Sequence, residues 1–287
     1  MNKYIELLGK LHVHPLFWLI AGMAVLTAHF KQLCLLFFIV LVHELGHAAA
    51  AVFFSWRVKR ILLLPFGGVA EVEEHGNRPF REEWIVTLAG PAQHLWLIAA
   101  AFFLWKAGWI ADEGWELFFR YNLAVLGLNL LPIWPLDGGK LLFLLLAYFR
   151  PFSAAHRHMV AVSAVLLAVF AVLLFVVAPR QLDLWTIAAF LAHAIWQEQK
   201  QHPYVVMRFL LERYYGKKGD YARLRTITAP ADERISHVLH RFYRGQKHAI
   251  VVVRNGRERT TLDENELLHA FFSEKQTDAP LGALIYS

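Results

Sequence analysis

Apolar and polar positions divide this chain into long blocks rather than a fine alternation. Six apolar segments can be drawn, at approximately 13–30, 32–55, 84–105, 117–147, 159–178 and 183–197. A helix needs roughly 20 residues to cross the hydrocarbon layer of a membrane. The second, third and fifth segments satisfy that easily. The fourth is long and broken by Pro132, Pro135 and Gly138-Gly139, and the sixth is short, with Asp183 near its start. The first flows almost directly into the second, so it reads as a retained span rather than a removed leader. The stretch Val58 to Val72, interrupted by Pro65 and Gly67-Gly68, fits a short membrane-associated hairpin or re-entrant loop. Such a hairpin offers a strand edge to an extended substrate, although an ordinary interfacial hairpin fits the same pattern.

The pattern changes after Trp196. Tyr204 to Tyr215 reads as a basic amphipathic helix, and from about Tyr221 a small α+β unit follows. Ile235 to Tyr243 has helical periodicity, and His248 to Arg254 is a β-branched strand. Asn255-Gly256 is a turn signal, and Asp263 with Glu266 opens a helix over Asp263 to Phe272 in a reciprocal capping pattern. The expected organisation is therefore a transmembrane region at 1–200, a basic amphipathic linker at 201–220 and a C-terminal α+β domain at 221–287. The fold class is mainly α, a polytopic membrane protein with about six transmembrane helices.

Composition agrees: 57% of the 287 residues are hydrophobic. The net charge is +6, with Lys and Arg dense from Lys200 to Lys247 and nearly absent from the apolar runs. A cytoplasmic tail facing anionic lipid gives that balance as readily as nucleic-acid binding does. Arg57, Lys59, Arg60, Arg78 and Arg81 lie between spans two and three, and Arg150 and Arg157 between spans four and five. The alternate loops hold Lys31, Lys106 and Arg180. The positive-inside rule then places both termini in the cytoplasm. Cys34 is the only cysteine, which excludes an intramolecular disulfide and a cysteine-based zinc site; it reads as a small residue packed in a membrane helix.

The chemistry is concentrated at His43-Glu44-Leu45-Gly46-His47. From Gln32 to Trp56 there is no Lys, Arg or Asp, and Glu44 is the only acid. Ionisable residues at that depth are expensive and are retained for function. With 3.6 residues per helical turn, His43 and His47 project from one face and reach one metal, with Glu44 beside them. A catalytic zinc site needs a third protein ligand. The best candidate is Asp137, in Leu131-Pro-Ile-Trp-Pro-Leu-Asp-Gly-Gly139, where Pro132 and Pro135 prevent a regular helix. A helix-terminus cap near Lys140 is the plain alternative. Asn129 either holds an unwound substrate strand or makes an interhelical hydrogen bond. His94 and His193 could be ligands but read first as buried histidines satisfied by neighbours, Asn122 reads as packing, and Glu71, Glu73 and Glu74 as a solvated loop face.

These residues resemble the site-2 protease family of intramembrane zinc metalloproteases (peptidase M50B type). The resemblance rests on His43 to His47, Gly90-Pro91, Asn129 and Pro135-Leu-Asp137-Gly-Gly. The usual motif of that family reads Asn-Pro-Asp-Gly; here Leu136 precedes Asp137 and the asparagine is further upstream, as in the sporulation branch. The resemblance implies Zn2+ held by His43, His47 and Asp137, with Glu44 as general base and Asn129 and Pro135 on the substrate side. That branch implies as substrate the inactive precursor of the mother-cell sigma factor (pro-sigma-K). It also implies a partner sporulation membrane protein (FA), a small inhibitor, and a location in the membrane around the forespore. The C-terminal unit resembles one cystathionine-β-synthase (CBS) module, which implies ATP as a regulatory ligand and pairing between subunits in a homo-oligomer. The ribose-contact pattern of such modules appears as Asp263-Glu-Asn-Glu266, which helix capping explains equally. Two other assignments stay open on sequence alone: a CAAX-type integral zinc protease, and a non-enzymatic membrane scaffold or transporter subunit with a nucleotide-sensing tail.

Overall fold

The computed structural model describes residues 7, 9–13, 15–64, 67–72, 78–216, 224–254 and 257–285. A short strand β1 (Leu11–Val13) precedes α1 (Pro15–Leu26), whose 12 residues are fewer than the expected first span. Next come α2 (Phe30–Phe53), a hairpin of β2 (Val58–Leu64) and β3 (Gly67–Val72), and α3 (Phe80–Lys106). Then follow α4 (Asp112–Asn129), α5 (Asp137–Phe149), α6 (Phe152–Val177) and α7 (Leu182–Tyr215). Among the described residues, α2, α3 and α6 are the helices long and apolar enough to cross a membrane. On α6, Val165, Val172 and Phe175 are each more than 60% exposed. Water would penalise that outward apolar face, whereas hydrocarbon solvates it. The molecule is a membrane protein.

Two expected spans are corrected. Segment 117–147 is two helices, α4 and α5, joined by residues 130–136. Pro132 and Pro135 lack an amide N–H and push the residues before them out of the helical region. The connection is anchored instead by the Trp134 amide, which donates to Ser163 Oγ of α6 at 3.0 Å. The sixth segment does not end with its apolar run. It begins the 34-residue α7, which continues through the amphipathic stretch expected as a linker. Cys34 is exposed rather than packed.

The first sheet has the order β1-β2-β3, with β1 parallel to β2 and β2 antiparallel to β3. The hairpin expected over Val58–Val72 is therefore present; its Pro65, together with Glu73 and Glu74, lies outside the described residues. Beneath it, Ala48, Ala51, Trp56, Val58 and Ile61 form one apolar cluster. This packs the hairpin onto the end of α2 that follows the histidines.

The C-terminal unit contains β4 (Leu224–Pro230), α8 (Ile235–Leu239), β5 (Lys247–Arg254), β6 (Arg257–Asp263) and α9 (Glu264–Phe272), closed by a 3-10 turn at Leu281–Ile285. β4 pairs parallel to β5, and β5 antiparallel to β6. The turn residues Asn255 and Gly256 and the expected start at Tyr221 fall outside the described residues. The Asp263 side chain accepts from the Asn265 amide at 2.9 Å and caps α9. The core of the unit includes Phe152 of α6 and Val206, Phe209 and Leu210 of α7. Phe152 and Phe209 stack at 4.1 Å between ring centroids. The unit is thus built onto the first turn of α6 and the last turns of α7, and α7 runs unbroken through residue 200.

Candidate metal centre

His43, Glu44 and His47 are buried on α2, and Asp137 is buried as the first residue of α5. A carboxylate in a first helical turn faces the positive end of the helix dipole. His43 Nε2 lies 3.0 Å from Asp137 Oδ2, His47 Nε2 lies 3.1 Å from the same oxygen, and the two imidazole nitrogens are 3.1 Å apart. The His-Glu-x-x-His turn and the Pro-broken connection therefore bring three ligand atoms to one point.

The hydrogen atoms identify the group that belongs among them. The Val86 carbonyl of α3 can only accept, so His47 Nδ1 donates to it at 2.8 Å. A neutral His47 then presents a bare lone pair at Nε2. His43 Nδ1 lies 3.0 Å from His94 Nε2, which directs its Nε2 at the same centre. Lys140 Nζ donates to Asp137 Oδ1 at 3.1 Å, leaving Oδ2 to face the imidazoles. Acceptors converging at about 3 Å in a buried place repel one another unless a cation lies among them. Two imidazole nitrogens and one carboxylate oxygen, all within 4.8 Å, could hold a metal ion, and their chemistry fits the donor set of a catalytic zinc.

Two glycines make the approach physically feasible. A Cβ at Gly90 of α3 would clash with both imidazoles, and a Cβ at Gly68 of β3 would clash with the Glu44 carboxylate. The edge strand β3 therefore lies directly against Glu44. Asn129 ends α4 half-buried, with its amide donating to Val125 of its own helix at 3.1 Å rather than between helices. Pro135 is half-buried in the 130–136 connection. Three further side chains, which the motif spacing does not single out, contribute. His94 and Asn122 are fully buried and linked to His43, and Lys140 holds Asp137. Their signal was present, since each of His94 and Asn122 is a polar side chain inside an apolar run. His193 is different: it is exposed, 2.9 Å from Gln197 Nε2.

The helical membrane fold and the His-His-Asp group beside a buried glutamate fit a zinc metalloprotease of the site-2 type, and comparison with known proteins shows that class. The chain belongs to peptidase family M50, whose model matches residues 31–110 and 104–176. It is 49% identical over 285 residues to stage IV sporulation protein FB of Bacillus subtilis (strain 168), covering 99% of each chain. It is 36% identical over 116 residues to a zinc metalloprotease of Methanocaldococcus jannaschii, covering 38% of this chain and 32% of that one. The fold is similar to that of the site-2 protease from the same archaeon, with a TM-score of 0.53 and 26% identity over 66% of this chain and 89% of the other.

Proposed function

We propose that this chain is an intramembrane endoprotease that removes the pro-sequence of a mother-cell sigma-factor precursor during sporulation. The observation that carries the reading is the convergence of His43, His47 and Asp137 beside Glu44 on an apolar helix. In this reading those three side chains hold Zn2+ and Glu44 is the general base. Bound there, zinc supplies Lewis-acid polarisation of a peptide carbonyl and acidifies water. Glu44 takes the proton from the attacking water and returns it to the leaving amine. Edge strand β3 holds the substrate in extended form, exposing carbonyls that a substrate helix would hide. Gly68 lets that strand lie next to Glu44, and Asn129 and Pro135 bound the substrate from the other side. Lys140 and the Val86 carbonyl keep Asp137 and His47 aimed.

The wider arrangement in this reading is six spans with both termini cytoplasmic, in the membrane around the forespore. A transmembrane region at 1–200 and a basic linker at 201–220 lead to a CBS-type regulatory unit at 221–287, which senses ATP and pairs between subunits. An FA-type membrane partner and a small inhibitor hold the protease off. The near full-length identity to the Bacillus subtilis protein supports the sporulation role.

The test is co-expression with the precursor. Glu44→Gln should retain about one zinc per chain while cleavage falls by about 10²–10⁴-fold, the usual contribution of a general base. Undiminished cleavage by that variant would sink the assignment.

A further inference from the structure

The contacts behind His43 form a directed chain. Asn122 Nδ2 donates to the Phe118 carbonyl one turn earlier on α4, at 3.0 Å. That fixes the amide, so Oδ1 faces His94 as an acceptor at 3.1 Å from Nδ1. His94 Nδ1 therefore carries the hydrogen, and a neutral His94 accepts at Nε2. His94 Nε2 faces His43 Nδ1 at 3.0 Å, so the hydrogen of His43 is on Nδ1 and its lone pair is on Nε2. Every bond runs the same way, from the metal-binding ring through α3 to a backbone carbonyl of α4. His94 and Asn122 are each 0% exposed, so bulk solvent does not compete for these bonds.

We propose that His94 and Asn122 are positioning residues: together they hold His43 in the tautomer and ring orientation that leave Nε2 free for the metal. This rests on the zinc-protease reading above. A neutral imidazole with its hydrogen on Nε2 cannot ligate through that atom, and the buried acceptor at His94 Nε2 removes that alternative. An acceptor behind a ligating histidine also raises its basicity. The length of the chain matters as well. If His94 met no acceptor at Nδ1, it could carry its hydrogen on Nε2 and oppose His43 hydrogen to hydrogen. Asn122 prevents this from a third helix.

The test measures zinc affinity of the purified full chain by competition with a chromophoric chelator, alongside kcat and KM. His94→Leu should weaken zinc binding on the order of 10–100-fold, the usual cost of losing such an outer partner. Asn122→Leu should cost less, because His94 remains to accept in one of its two tautomers. His94→Gln places an amide oxygen near the Nε2 position and should recover most of the affinity. At saturating zinc, kcat should follow that order with KM unchanged, and the metal-free melting temperature should not. Wild-type zinc affinity in His94→Leu overturns the proposal. Where that variant does not fold, unchanged affinity in Asn122→Leu overturns it. Absence of stoichiometric zinc in the wild-type chain would instead overturn the zinc-protease reading itself.

Discussion

At the centre between α2, α3 and α5, three acceptors face one another. At the junction of α6, α7 and the C-terminal unit, built from the same residue types, each acceptor faces a donor. There, His240 Nδ1 lies 3.2 Å from Ser153 Oγ, which is 3.3 Å from His202 Nε2. His202 Nδ1 is 2.9 Å from His156 Nδ1, and His156 Nε2 is 2.7 Å from Glu198. The Glu198 carboxylate accepts from His156, so with neutral rings the bonds run in order from His240 to the carboxylate. Nearby, Arg213 donates to both oxygens of Glu264 and to the Tyr243 and Gln246 carbonyls. Arg244 grips Glu83 and the Arg78 carbonyl at the start of α3. A histidine-carboxylate cluster is therefore not in itself a metal site. The direction of its hydrogens tells the two apart: neutral imidazoles leave the proposed zinc centre with three acceptors and no donor among them, whereas each acceptor of the junction chain has a donor.

The sharpest way to break this contrast is Asp137→Ala. It should abolish both stoichiometric zinc and cleavage, read by metal analysis and by precursor processing, because two imidazoles alone do not make the site. Zinc retained in that variant would remove the distinction between the two networks. At the junction the reverse holds. Arg213→Met leaves buried Glu264 with only its His248 hydrogen bonds and no countercharge, and should destabilise the C-terminal unit by about 3–5 kcal/mol in denaturant unfolding. Adding Glu264→Leu should restore only part of that loss, since it removes the buried charge but leaves the Tyr243 and Gln246 carbonyls and the His248 N–H without their partners. No apolar replacement should rescue the metal centre.

The smallest effect is a pH dependence. Burial, then the neighbouring His156, Arg157 and His240, push the His202 pKa down to about 4, with Glu198 partly opposing them. An unfolded histidine takes up its proton near pH 6.5. Between those values the unfolded chain binds more protons than the folded one, so this contribution is complete above pH 6.5. It is lost as pH falls toward about 4. Hydrogen exchange across residues 198–206 should accelerate through that window, and His202→Gln should flatten the profile. At Glu264, burial disfavours the charge, but the His248 hydrogen bond and the Arg213 charge outweigh it and hold the carboxyl below its usual value. That ion pair should therefore persist through the window in which His202 titrates.

Much of this was legible in the pattern of the chain. The uniform apolar blocks gave α2, α3 and α6, because a helix in hydrocarbon needs no polar face. The i, i+4 spacing put His43 and His47 together, and the Pro-broken stretch pointed to Asp137 because only an unwound segment needs to be enclosed there. The continuity of α7 was not legible. Its surroundings change near residue 197 while its backbone does not, and a hydropathy pattern reports surroundings. Nor was the pairing of His94 with His43, 51 positions away, since spacing along a chain says nothing about which helix lies alongside. The three-residue strand β1 was too short to carry a period.

Pro203 lies inside α7. Lacking an N–H, it leaves Gln199 without its helical partner, and its ring crowds that turn. This is the weakest rung of a rod that at 1.5 Å per residue runs about 50 Å. The residue beside it, His202, is tied sideways to His156 and Ser153 on α6. The junction thus works as a splint, set where the rod would otherwise bend.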